Sequence, residues 1–139
     1  MDGAVMLSEA SRTTAGILLL TIVAIEYGGW YVLRLVQGQI PRTEFQKTFA
    51  RAGHGHAGVL VSLALICQIL VDSAGMSGFW EFLAREGVPV AAILIPAGFF
   101  FASGHKGATS ANRFIVLIYI GMAALAAGLV SLGIGLLTV

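Results

Sequence analysis

The sequence predicts an all-α integral membrane protein, a four-transmembrane-helix bundle with a polar interior. Three observations carry that prediction. The 139-residue chain is 58% hydrophobic and 11% charged, with a mean hydropathy of +0.91, whereas a soluble domain carries about 25% charge. The apolar residues gather in four stretches, about 13–36, 52–72, 88–103 and 113–138. None of the four shows the period-two alternation of a barrel strand, and lipid admits only helices or closed barrels. Residues 1–139 therefore read as a single transmembrane domain whose main partner is the lipid bilayer.

The first helix is expected over 13–36. The residues before it include Asp2, Glu9 and Arg12, so they lack the positive start of a signal peptide. The apolar run ends at Ala24-Ile25-Glu26 with no small-x-small cleavage site. It is read as a retained membrane helix. Trp30 and Tyr31 suit an interfacial belt.

The second helix is expected over 52–72. The loop before it contains Pro41-Arg42-Thr43-Glu44-Phe45-Gln46, in which Thr43 and Gln46 have the spacing of a capping box. The helix is therefore expected to begin in water and then enter lipid. Cys67 reads as a small packing residue, because one cysteine makes neither an internal disulfide nor a Cys-x-x-Cys motif.

The third helix is expected to be short, over 88–103, and kinked at Pro96. Its span of ~24 Å falls below the ~30 Å hydrocarbon core. The loop before it, with Phe79, Trp80, Phe82 and Arg85, is expected to hold a separate interfacial helix. The fourth helix, 113–138, carries Ala123, Ala127, Ser131 and Gly135 at spacing four, with Ala124 and Gly128 beside them. Small-xxx-small lines favour close helix packing in lipid. So thin a bundle is also expected to form a homo-oligomer or join a larger membrane complex.

Six of the eight Lys and Arg residues fall on one side: Arg34, Arg42, Lys47, Arg51, Lys106 and Arg113. Arg12 and Arg85 fall on the other. The positive-inside bias places the first and third loops in the cytoplasm and both termini outside, in a bacterial inner membrane or plasma membrane. The formal charge of +1 and the lack of a dense basic patch exclude a nucleic-acid partner. No phosphate loop, dinucleotide fingerprint or nucleophile elbow appears, which argues against nucleotide-dependent and hydrolase chemistry.

Ionisable groups within membrane segments are the functional candidates. The run Gly53-His54-Gly55-His56-Ala57-Gly58 opens the second segment, and His105 closes the third. All three histidines then lie at one membrane face. At about 100° per residue, His54, Gly58, Val61, Leu65, Gln68 and Asp72 share one face of the second helix, within about 40°. That face is expected to look into the bundle. His56 points about 200° away from His54, so a regular helix does not put both rings on one ion. Either the glycines unwind the helix or each ring serves a different neighbour. The second arrangement resembles a helix of the heme–copper oxidases, where His-x-His ligates two hemes on opposite sides. That resemblance covers His54-Gly55-His56 alone, and the copper ligands of that family have no counterpart here.

Glu26 is the one carboxylate inside the first apolar segment. A charge there costs on the order of 2.5–3.5 kcal/mol on insertion scales. It is expected to be protonated or paired inside the bundle, although it lies ~15 Å below the face near which the histidines sit.

Three functions compete on these residues. The first is a site near the cytoplasmic face that binds heme b or a transition metal (Fe, Cu or Zn) through His54, His56 and His105, with Glu26 nearby. The second is a proton-coupled transporter or channel using Glu26, His54, Gln68 and Asp72. The third is a structural or assembly subunit of a membrane complex.

Overall fold

The computed structural model describes residues 6–138 and is all-helical over them, apart from turns and loops. Four long helices follow one another: α1 (Glu9–Val36), α2 (Glu44–Ser73), α3 (Gly78–Ala102) and, after a single 3₁₀ turn at Arg113–Ile115, α4 (Val116–Leu137). Each is long and apolar enough to cross a membrane, α4 with its leading turn included.

The local chemistry of the ends explains the boundaries. Ser8 caps α1 by accepting from the Ser11 amide at 3.1 Å. At the other end of α1 the Gln39 amide reaches back to the Arg34 carbonyl, and the Gly38 amide to that of Leu35, a Schellman closure. Gly38 makes this turn at φ +74°, where a Cβ is disfavoured. The capping box at Thr43 and Gln46 forms as the sequence predicts, and α2 starts there, eight residues before its apolar stretch. Gln46 is also buried, and its amide donates to the carbonyls of Ser103 and His105 at 2.9 Å each. The start of α2 is thereby tied to the loop that follows α3.

The third helix departs from expectation. It is not short: its 25 residues rise ~37 Å, enough to span the hydrocarbon core. The separate interfacial helix does not exist, because Phe79, Trp80, Phe82 and Arg85 occupy the opening turns of α3 itself. Proline removes an amide and frees the carbonyl four residues earlier. For Pro89 that carbonyl belongs to Arg85, and buried Gln68 of α2 donates its side-chain amide to it at 2.9 Å. With the orphaned acceptor satisfied, the helix continues through Pro89, and it runs on through Pro96 to Ala102.

Packing follows chain order. The closest contacts are between α3 and α4, then α2 and α3, then α1 and α2, whereas α2 meets α4 only slightly. The core is built by Leu60, Val61, Ala64, Cys67 and Val71 of α2 against Ala84, Val88, Ala91 and Ile95 of α3. Glycines bring α3 and α4 together. A Cβ on Gly87 would come within 2.6 Å of the Gly128 Cα, and one on Gly121 within 2.6 Å of Ile95. The small-residue line through Ala124 and Gly128 is thus spent inside the molecule, whereas Ala123 faces outward. The outlier is α1, whose buried residues are only Ser11, Leu18 and Leu35. Most of its large apolar side chains, among them Leu20, Val23 and Tyr27, are exposed, as a helix facing lipid would have them.

Candidate functional site: a cleft between α1 and α3

Helices α1 and α3 both lean on α2 and leave a cleft of about 450 Å³ between them. Its walls are almost entirely apolar, including Ile17, Leu18 and Ile25 of α1 with Ala92, Pro96 and Phe100 of α3. One imidazole, His54, and one carboxyl, Glu86, line it. Gln68 bonds to the Arg85 carbonyl, so Glu86 sits near the level of Gln68. From His54 to that level α2 rises about 21 Å. The cleft is therefore long, with its two ionisable groups near opposite ends and the hydroxyls of Thr14 and Thr21 also in its lining.

His54 gets there because α1 is thin where the two helices meet. Gly28 and Gly29 present bare backbone to the ring, and a Cβ on Gly29 would lie 3.1 Å from His54 Cε1 and Nε2. The paired glycines let the imidazole lie between α1 and α2 at the mouth of the cleft. His54 makes no hydrogen bond among the described residues, in contrast to His56.

His56 points elsewhere, as the helical spacing requires. It is exposed, its Nδ1 lies 2.8 Å from the Ala52 carbonyl, and its ring lies 5.1 Å from that of Phe99. A carbonyl only accepts, so Nδ1 carries the proton in the neutral ring. The helix does not unwind at the glycines: α2 is continuous through Gly53, Gly55 and Gly58. His105 is exposed in the loop after α3, held there through its backbone carbonyl. Glu26 lies on the exposed side of α1 rather than inside the bundle. Among the described residues, no three His, Cys, Asp or Glu side chains are placed to share a metal ion.

The other polar candidates, Gln68 and Asp72, face inward and join a network that the sequence reading missed. Its centre is Arg85, 8% exposed. Arg85 Nη2 donates to Asp72 at 3.0 Å and to Glu81 at 2.7 Å. Its Nη1 donates to the Ser11 hydroxyl and, at 3.4 Å, to that of Ser8. Ser8 in turn donates its amide and hydroxyl to the two oxygens of Asp72, at 2.8 and 2.9 Å. Ser11 donates to the Gln68 carbonyl at 3.2 Å. The spacing Glu81-x-x-x-Arg85 was the available sign, since it is the i,i+4 pair of a helix. A third helix that starts at Val88 leaves that pair in a loop, where the spacing has no such meaning. No buried side-chain nitrogen or oxygen among the described residues lacks a partner.

The fold and the cleft define a class: a compact all-α protein with four potential membrane-spanning helices and a side cleft bearing one free imidazole. Compared with protein families, characterised proteins and solved structures, the chain matches none of them.

Proposed function

We propose that this is an integral membrane protein that binds a flat amphiphilic cofactor, heme b, in the cleft between α1 and α3, with His54 as its protein ligand. The observation that carries the reading is the placement of His54: an imidazole that makes no hydrogen bond among the described residues and lines a cleft whose walls are mostly apolar. Sites for small molecules have this form, mostly apolar with a few polar groups that fix orientation. The cleft volume falls within their range of roughly 300–1,000 Å³. The flat faces of Pro96 and Phe100 suit a planar ring system. When bound, heme supplies one-electron chemistry or ligand binding at iron. The chain's part is to hold it, orient it and exclude water. The charge bias puts the His54 end at the cytoplasmic face.

The competing path through Glu26, His54, Gln68 and Asp72 has less to rest on. Gln68 and Asp72 already satisfy Arg85 and α3, and α2 is apolar between Gly58 and Gln68 apart from outward-facing Ser62. A metal site shared by all three histidines would need the rings to converge, and they diverge.

The test is a visible spectrum of detergent-purified protein, followed by hemin titration and a metal assay. Expected is a Soret band at a 1:1 ratio that His54→Ala abolishes and that His56→Ala and His105→Ala retain. A colourless protein that binds no added heme, or binding indifferent to His54→Ala, overturns the proposal.

A further inference from the structure

One carboxyl at membrane depth remains outside both polar regions. Glu26 lies on the exposed side of α1, with Leu19, Ile22, Val23, Trp30 and Leu33 exposed around it. It is ten residues, ~15 Å, from the end of the helix. Among the described residues no Lys or Arg pairs with it. Arg85 is committed to Asp72 and Glu81, and the other Lys and Arg residues lie at helix ends or in loops. A carboxyl left facing hydrocarbon is costly, and such groups pair with one another or face a protein interior.

We propose that α1 is the interface of a symmetric dimer in the membrane, in which Glu26 hydrogen-bonds to Glu26 of a second copy. A second copy fits this surface for three reasons. Copies of one chain insert with the same orientation, so a two-fold axis along the membrane normal sets Glu26 opposite its twin at identical depth. A protonated carboxyl donates one hydrogen bond and accepts another, so the pair is self-complementary without a cation. The rest of the surface agrees: the residues one turn to either side are apolar, and Gly16 is open on its outer side with nothing near its Cβ position. The outer face of α4, by contrast, carries no Asp, Glu, His, Lys or Arg between Arg113 and Thr138, and its one exposed hydroxyl-bearing ring is Tyr119. Gly121 and Gly128 are already used against α3, so an open small residue such as Gly133 does not by itself mark an interface, and the distinguishing feature of α1 is its carboxyl. This interface is independent of the cofactor proposal, because Glu26 does not line the cleft.

The test uses full-length protein in lipid bilayers, in a Cys67→Ser background. Val23→Cys and Trp30→Cys, each about one turn from Glu26, are expected to cross-link between copies on mild oxidation. Ile120→Cys on α4 is expected to remain uncross-linked. Dimer dissociation is then measured by energy transfer between labelled copies. Glu26→Ala is expected to weaken the dimer about 5- to 30-fold, the equivalent of an interhelical hydrogen bond in lipid. Glu26→Gln, whose amide also donates and accepts, is expected to stay within about threefold of wild type. Circular dichroism of each variant separates loss of the interface from loss of the fold. The proposal is overturned by a monomer at every protein-to-lipid ratio or by a dimer indifferent to Glu26→Ala. Cross-linking through α4, or α1 cross-linking only to a different protein, overturns it equally.

Discussion

The two ends of the contact between α1 and α2 are built on opposite principles. At the start of α1, the side chains of Ser8, Ser11, Gln68, Asp72, Glu81 and Arg85 bond to one another until no buried side-chain donor or acceptor is left over. At the other end, His54 lies against the bare backbone of Gly28 and Gly29 and makes no hydrogen bond among the described residues. Both ends hold polar groups within long apolar helices, so composition does not separate them. Saturation does. A closed network has no capacity left for a ligand, and its work is to dock α1 and let α3 run through Pro89. An imidazole with a spare lone pair at an apolar cleft keeps its capacity.

Four substitutions bear on that contrast, from largest effect to smallest. Arg85→Ala takes the cation from Asp72, which keeps only its two bonds from Ser8, and from half-exposed Glu81, and breaking a buried ion pair costs about 3–5 kcal/mol. The expected result is a large loss of thermal stability in detergent. Combining Arg85→Met with Asp72→Asn and Glu81→Gln is expected to recover much of it, because no uncompensated charge then remains. Stability indifferent to Arg85→Ala would remove the network from the structural side of the comparison.

Gln68→Leu leaves the Arg85 carbonyl beside Pro89 without its donor. An unsatisfied buried acceptor costs about 1–3 kcal/mol, readable as a lower unfolding midpoint. A milder effect is expected at the open end. His54→Leu should change stability by about 1 kcal/mol or less while abolishing heme binding. A loss of stability as large as that of Arg85→Ala would make His54 a structural residue. Finally, Gly29→Ala places a methyl 3.1 Å from the His54 ring, which must turn slightly. Its expected effect is on ligand affinity, weaker by about tenfold, or 1.4 kcal/mol. The unfolding midpoint should stay within a degree or two of wild type.

Much of the helical framework was readable because each part of it is a local property. Four apolar segments, the Thr43–Gln46 capping box and the inward turn of Gln68 and Asp72 follow from spacing along one helix. The opposed directions of His54 and His56 follow from the same 3.6-residue period. The extent of α3 was not readable. Two prolines argue for a short helix on local grounds, and only Gln68, arriving from α2, removes the penalty at Pro89. The Arg85 network was hidden for the same reason, since its members come from three helices and an incorrect start for α3 put Arg85 in a loop. Glu26 was expected inside because a buried carboxyl needs partners, yet which side of α1 packs on α2 is set by the fit of Leu18, Ile25 and Gly28 against α2.

By itself, then, the sequence determined that the helices are apolar enough to cross a membrane, how many there are and the direction of each side chain about its own helix axis. These depend on transfer free energies and on a fixed helical period, both indifferent to distant residues. The tertiary structure alone decided which polar groups are satisfied and which are left free. Satisfaction depends on the partner that packing brings within about 3 Å, and no property of a single helix states that distance.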